Sequence, residues 1–266
     1  MNATYSLAEF FKVLDDIAPL ELSRKMIEKG SYDNSGILVK TKNTVNGAIF
    51  SLDLTESVIK RAKSLGIDTI VTHHPAIYSP LKSIDIEGDN KDVALAVSSG
   101  KNVISMHLNL DVTDGGIDAS MAENLGAKEY KILDYVDEKH GYGREFNVEK
   151  TTLSKFASAV KKNFNTKKVI YYGSKNAEIK TIASFCGAGG SHAVECVSRG
   201  ITSPDVIITS DIAHHEIKYL IEKGIALVIL PHYASEEYGF RKFYEKVNAK
   251  IGKDVKLYYY GDKRFR

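Results

Sequence analysis

Two cysteines in 266 residues, Cys186 and Cys196, are too few for a disulfide framework or a four-cysteine zinc site. No apolar run approaches the about 20 residues needed to cross a bilayer. Charge of one sign is also missing: 36 lysines and arginines stand against 34 acids, a formal net charge of +2. Apart from the tail Lys263-Arg264-Phe265-Arg266 the basic residues are scattered among acids, so charge does not support nucleic acid as the main partner. Low-complexity tracts and long linkers are absent as well. The start, Met1 to Arg24, mixes Glu9, Lys12, Asp15 and Asp16 into an amphipathic pattern and reads as a helix rather than a signal peptide. These absences predict a protein of the reducing cytoplasm with no membrane partner.

What is present has the pattern of an α/β protein. Ser6 is placed to cap a helix through about Ile17, with Leu7, Phe10, Phe11, Leu14 and Ile17 on one face, and Pro19 stops or re-aims it. Ile37-Leu38-Val39 and Ala48 to Leu52 read as strands paired around Asn46-Gly47. Helix, glycine, buried strand and histidine then recur three times. Gly66 precedes His73-His74, Gly100 precedes His107, and Gly224 precedes His232. Charge and glycine rise over Asp134 to Lys150, which predicts a boundary between a first lobe (1–134) and a second (150–239). Residues 240–266, with a strand near Val255 to Tyr260, are expected to return to the first lobe.

Ligands of open α/β sheets gather at the carboxyl ends of strands, so three histidine-bearing strand ends point to one site. Adjacent histidines on an extended chain face opposite ways unless the chain turns, and Pro75 forces irregular geometry after His73-His74. His232 and Glu236 lie one helical turn apart and could ligate a metal, or could be an ordinary helix start with a first-turn acid. His107 and Asp111 share that spacing, and Asp111 reads either as a hard ligand or as a loop residue capping its own backbone. Taken together, His73, His74, Asp111, His232 and Glu236 suit two divalent ions, whether zinc, iron, manganese or nickel. Such a pair can activate water for hydrolysis. The run Cys186-Gly187-Ala188-Gly189-Gly190-Ser191-His192 could cradle an anion or be a tight strand-to-helix turn. His192, His214 and His215 are candidate proton donors. Asp211 reads as a helix cap, Asp33 and Asn34 as turn residues, and Arg144 as a solvated loop residue or a phosphate contact.

These motifs resemble, in order, those of the Nif-three-like family, whose members are often labelled type 2 GTP cyclohydrolase I homologues. The resemblance runs through Asp33 to Val39, Thr72-His73-His74-Pro75, His107 to Asp111, Gly141 to Arg144, the Cys186 loop, Ser210 to His215 and His232 to Glu236. It implies two similar α/β lobes with mixed sheets, a dinuclear metal site in the cleft between them, and a ring-shaped homohexamer. It also implies His73, His74, Asp111, His232 and Glu236 as ligands, with His107 just behind them. Tyr32 stands where many relatives carry tryptophan, and Lys40 where a glycine often follows the strand; both touch the turn near the entrance. The expected function is a metal-dependent hydrolase acting on a nucleotide or other phosphorylated small molecule, in its narrower form GTP cyclohydrolase-like. The alternative is a non-catalytic metal-binding scaffold or regulatory interaction protein.

Overall fold

A computed structural model describes residues 5–265, so Met1–Thr4 of the amphipathic start and Arg266 of the basic tail lie outside the described residues. In chain order the elements begin with β1 (Tyr5–Ser6), α1 (Leu7–Asp15), α2 (Leu20–Glu28), β2 (Gly36–Val39), β3 (Thr44–Val45) and β4 (Gly47–Ser51). Next come α3 (Glu56–Ser64), β5 (Thr69–Thr72), α4 (Lys91–Ser98), β6 (Asn102–Ser105), α5 (Leu108–Val112) and α6 (Ile117–Asn124). Then follow β7 (Lys131–Tyr135), β8 (Gly141–Thr152), α7 (Leu153–Asn163), β9 (Ile170–Tyr172), β10 (Glu178–Ser184) and α8 (Gly190–Ser198). The chain finishes with β11 (Val206–Thr209), α9 (His214–Glu222), β12 (Ala226–Ile229), α10 (His232–Ile251) and β13 (Lys256–Tyr259). It divides into two compact units, the first running through Leu110 and resuming over Phe240–Asp262, the second covering Asp111–Gly239.

The first unit holds a sheet of order β13-β4-β5-β6-β2, in which β13, β4, β5 and β6 are parallel and β2 is antiparallel at the edge. Every residue of β4, β5 and β6 is buried, the pattern of strands covered on both faces. Ile49, Ile70 and Val103 from the sheet pack with Val58, Ile59 and Ala62 of α3 and Val93 and Ala96 of α4. On α1 the expected cap is a full capping box, with Ser6 N donating to Glu9 Oε2 at 2.9 Å and Glu9 N to Ser6 Oγ at 3.2 Å. That helix ends at Asp15 rather than Ile17, and α2 starts directly after Pro19.

The pairing of strands around Asn46-Gly47 is corrected. β2 pairs with β6, and β4 pairs with β5 and β13. Asn46 does not make a hairpin turn, because its amide N–H donates to the buried Asp68 at 3.1 Å and its side chain donates to Gly66 O at 2.9 Å. Those bonds carry the chain from the short β1–β3 ribbon into a central strand instead.

The second unit holds a sheet of order β7-β8-β10-β11-β12-β9, parallel through β10, β11 and β12 and antiparallel at its other three pairings. Residues 134–150, charge-rich and aperiodic, lie in this unit and mostly form the β7–β8 hairpin. Burial along β8 hides the strand pattern: the strand opens on four buried residues, Gly141 to Arg144, and closes on six that are half-buried or exposed.

The three helix–glycine–strand repeats end in the same way. Gly66, Gly100 and Gly224 have φ of +69°, +63° and +79°, a left-handed conformation costly for other residues. Ile67 N donates to Ala62 O, Lys101 N to Ala96 O and Ile225 N to Leu220 O, at 2.9, 2.9 and 3.1 Å, so each helix closes in a Schellman motif. Each motif reverses the chain into a buried strand that ends next to a histidine. This local repeat places the histidines at strand ends.

Candidate functional site

In the first unit the chain bends as it leaves β5. His73 N and His74 N both donate to Leu52 O, at 3.1 and 3.0 Å, and Thr72 Oγ1 donates to His74 O at 2.8 Å. The bend brings the two rings to one side, with centroids 4.9 Å apart. His107, from the end of β6, lies 5.1 Å from the His73 ring and 5.9 Å from that of His74. His73 is fully buried and its ring packs 6.0 Å from that of Phe240.

All three imidazoles are anchored through Nδ1. His73 Nδ1 meets Met106 O at 2.8 Å, His74 Nδ1 meets Asp53 Oδ1 at 2.7 Å, and His107 Nδ1 meets Asp33 Oδ1 at 2.7 Å. A carbonyl only accepts, so His73 carries a proton on Nδ1, which leaves Nε2 as the nitrogen that could ligate a metal. Burial alone would push the Asp33 carboxyl up, but His107 with its hydrogen bond and charge, joined by hydrogen bonds from Ser23 and Ser35, holds it below the usual range. Asp33 is therefore an ionised acceptor. The turn expected at Asp33 and Asn34 is corrected: residues 31–35 form an irregular segment with no turn, held by Ser35 Oγ donating to Asp33 Oδ2 at 2.7 Å and Asn34 Nδ2 to Ile77 O at 2.6 Å, and Asp33 orients a histidine 74 residues away.

The second unit repeats the device. His232 opens α10, and its Nδ1 lies 2.7 Å from Asp211 Oδ2 while Nε2 lies 2.9 Å from Glu236 Oε1. Glu236, one turn along, is buried. The Cys186 loop runs under this turn: Gly187 N donates to Ser235 Oγ at 3.1 Å, and Ser235 Oγ donates to His232 O at 2.7 Å. The thiol of Cys186 donates to Asp111 Oδ1 at 3.7 Å. Burial, reinforced by Asp111, Asp118 and Glu236, pushes that thiol well above its ordinary pKa and keeps it protonated. Asp211 lies just before α9, and Glu216 closes the start of that helix by accepting from Ala213 N at 2.8 Å.

Gly187 sits at φ +58°, and a Cβ there would run into Glu236 Oε1 and stand 3.2 Å from His232 Nε2. The Gly187→Ala variant is expected to lose about 1–2 kcal/mol of stability from the left-handed backbone alone. It is also expected to bind divalent metal more weakly, because the new methyl displaces the Glu236 carboxylate. A calorimetric metal titration beside a thermal melt checks both; unaltered metal affinity would detach this loop from any metal chemistry.

The remaining candidates stand on other elements of the second unit. His192 lies on α8, partly buried, with its ring edge-on to Tyr142 at 5.0 Å. His214 and His215 are exposed in the first turn of α9. Arg144 is neither solvated nor open to a phosphate. It is 1% exposed within β8, lies 3.0 Å from Asp118 Oδ2, and donates to Gly141 O and Gly143 O at 2.9 and 3.1 Å.

Fold and donor chemistry together define an α/β protein with buried histidine and carboxylate groups that could hold divalent metal. A family model described as Duf34/NIF3 (NGG1p interacting factor 3) matches residues 5–261, and the chain belongs to that family. A Clostridium perfringens protein named GTP cyclohydrolase 1 type 2 homolog is 31% identical over 258 residues, covering 94% of each chain. Among solved structures, a Staphylococcus aureus hypothetical protein superposes with a TM-score of 0.82 at 23% identity, over 97% of this chain and 96% of that one. A Bacillus cereus protein related to NIF3 superposes with a TM-score of 0.83 at 17% identity, over 97% of each. No helix among the described residues is long and apolar enough to cross a membrane.

Proposed function

We propose that this protein is a hydrolase dependent on two divalent metal ions and acting on a nucleotide or another phosphorylated small molecule. Opening of a purine ring, as the name of the Clostridium perfringens relative suggests, is the narrower form of this activity. The proposed ligands are His73, His74, Asp111, His232 and Glu236. The observation that carries the reading is the shared anchoring of four histidines, each with Nδ1 held by a carboxylate or a carbonyl. Metal-ligating imidazoles are built in this way, because the anchor fixes the tautomer, aims Nε2 and raises its basicity.

Bound divalent ions would supply Lewis acidity at the electrophilic carbon or phosphorus. Asp53 and Asp211 hold His74 and His232 in orientation, and the protonated Cys186 thiol steadies Asp111. Burial of His73 and of Glu236 lowers the dielectric around each and strengthens the charge contacts that each makes. His192, His214 or His215 is the proposed proton donor to the leaving group. A homohexamer in the cytoplasm is the proposed working form.

His74→Ala and Glu236→Ala are expected to abolish turnover of a nucleotide panel while leaving circular dichroism and assembly mass unchanged. Wild-type turnover in either variant would place the activity elsewhere. Metal uptake without turnover of any nucleotide or sugar phosphate would favour a non-catalytic metal-binding scaffold.

A further inference from the structure

Close in sequence to the histidine cluster, the first unit carries an aromatic pair that the metal chemistry does not use. Tyr32 and Tyr78 are 49% and 51% exposed, yet their rings lie 4.8 Å apart at an interplanar angle of 59°. Both are tied closely to the cluster by the chain. Tyr32 directly precedes Asp33, which anchors His107, and Tyr78 follows His74 by four residues.

The backbones beneath the two rings are braced. Asn34 Nδ2 donates to Ile77 O at 2.6 Å, linking the Tyr32 segment to the Tyr78 loop. Ala76 and Ile77 pack against the core of the first unit, and Ala76 N donates to Ser105 Oγ at 3.3 Å. Ser31 and Ser79, their neighbours in sequence, are small and polar, and about half of each tyrosine is open to solvent. Half-exposed rings on a braced backbone offer stacking area at a reduced entropic cost.

We propose that Tyr32 and Tyr78 form a stacking platform for the planar base of a nucleotide, so that the substrate is recognised by an aromatic heterocycle as well as by its phosphate. This inference rests on the phosphorylated-substrate reading above and narrows it to nucleotides. Stacking fits the chemistry of the pair, because every nucleobase has a π-face and tyrosine supplies one in return. An apolar protein partner fits less well. It would be expected to centre on Ile84 and Ile86, which are 65% and 76% exposed further along the same loop.

The test is calorimetric binding of guanosine monophosphate and of ribose 5-phosphate to the metal-loaded, full-length protein. The unaltered protein should prefer the nucleotide by about tenfold, within the range that one stacked base supplies. Tyr32→Ala and Tyr78→Ala should each erase most of that preference, with ribose 5-phosphate affinity and metal content unchanged, and Tyr32→Phe should keep it. Equal affinity for the two probes in the unaltered protein would overturn the platform and leave the phosphorylated-substrate reading standing. Binding of neither probe would overturn both. Loss of ribose 5-phosphate binding in the alanine variants, or a change in their assembly mass, would make the pair a structural or subunit contact and overturn the platform.

Discussion

Protein carrying His73→Ala, purified without chelator, is expected to retain almost no divalent metal, while Asp53→Asn and Asp211→Asn, which alter the anchors of His74 and His232, bind it about 10- to 100-fold more weakly than the unaltered chain. His73 is central to the first unit's cluster. Its ring is the nearest neighbour of both His74 and His107, at 4.9 and 5.1 Å, and it is fully buried. The asparagine variants isolate a different effect. Asparagine keeps an oxygen that accepts from Nδ1 but removes the charge that raises imidazole basicity, so shape survives and affinity falls. Competition against a chromogenic chelator measures all three. Affinities equal to the unaltered protein's, in variants that still fold, would reduce the anchored histidines to packing groups.

Arg144→Met is expected to destabilise the second unit by about 3–5 kcal/mol, because it strands the Asp118 carboxylate where water cannot reach it. Asp118 is fully buried and Arg144 is 1% exposed. Burial pushes the Asp118 carboxyl up, and Arg144, with the N–H groups of Cys186 and Gly143, works against that rise. The two charged groups approach to 3.0 Å, and the Arg144 guanidinium also lies 5.2 Å from the Tyr130 ring. The double variant Arg144→Met with Asp118→Leu should recover much of the loss, since apolar replacement of both partners removes the desolvation penalty along with the attraction. Thermal melts of the three proteins decide the matter; an unshifted midpoint for Arg144→Met alone would show that the pair contributes no net stability. Cys186 N donates to Asp118 Oδ1 at 3.1 Å, so the single variant should also loosen the loop carrying Gly187.

The α/β class was legible because its signals are local. Ser6 with Glu9, and glycine at the ends of α3, α4 and α9, act over three to six residues, and the structure has them as a capping box and three Schellman motifs. Buried parallel strands read as apolar runs for the same reason. What could not be read was long-range. Nothing near Asn46-Gly47 signals that β4 takes β5 and β13 as neighbours, because that choice depends on Asp68 holding Asn46 from across the sheet. The histidines were visible as residue types at strand ends, but their anchors were not. Asp33 and Asp211 look like turn and cap residues in sequence, and Asp53 looks like a helix start. Each meets its histidine across 21 to 74 residues. Arg144 misled for the opposite reason: a glycine-flanked arginine resembles a surface loop, and only the acid at position 118 reveals it as buried.

The pairing of β13 with β4 imposes an order on synthesis. Lys256 lies beside Gly47 and Tyr259 beside Phe50, so a fully buried strand waits for a neighbour made about 200 residues later. At about 5–20 residues per second, a ribosome needs roughly 10–40 s to translate the intervening 200 or so residues. Asp111–Gly239 is continuous in sequence and emerges whole during that interval. The nascent chain therefore carries an open apolar strand edge throughout that interval, a demand on chaperones that the folded molecule no longer displays.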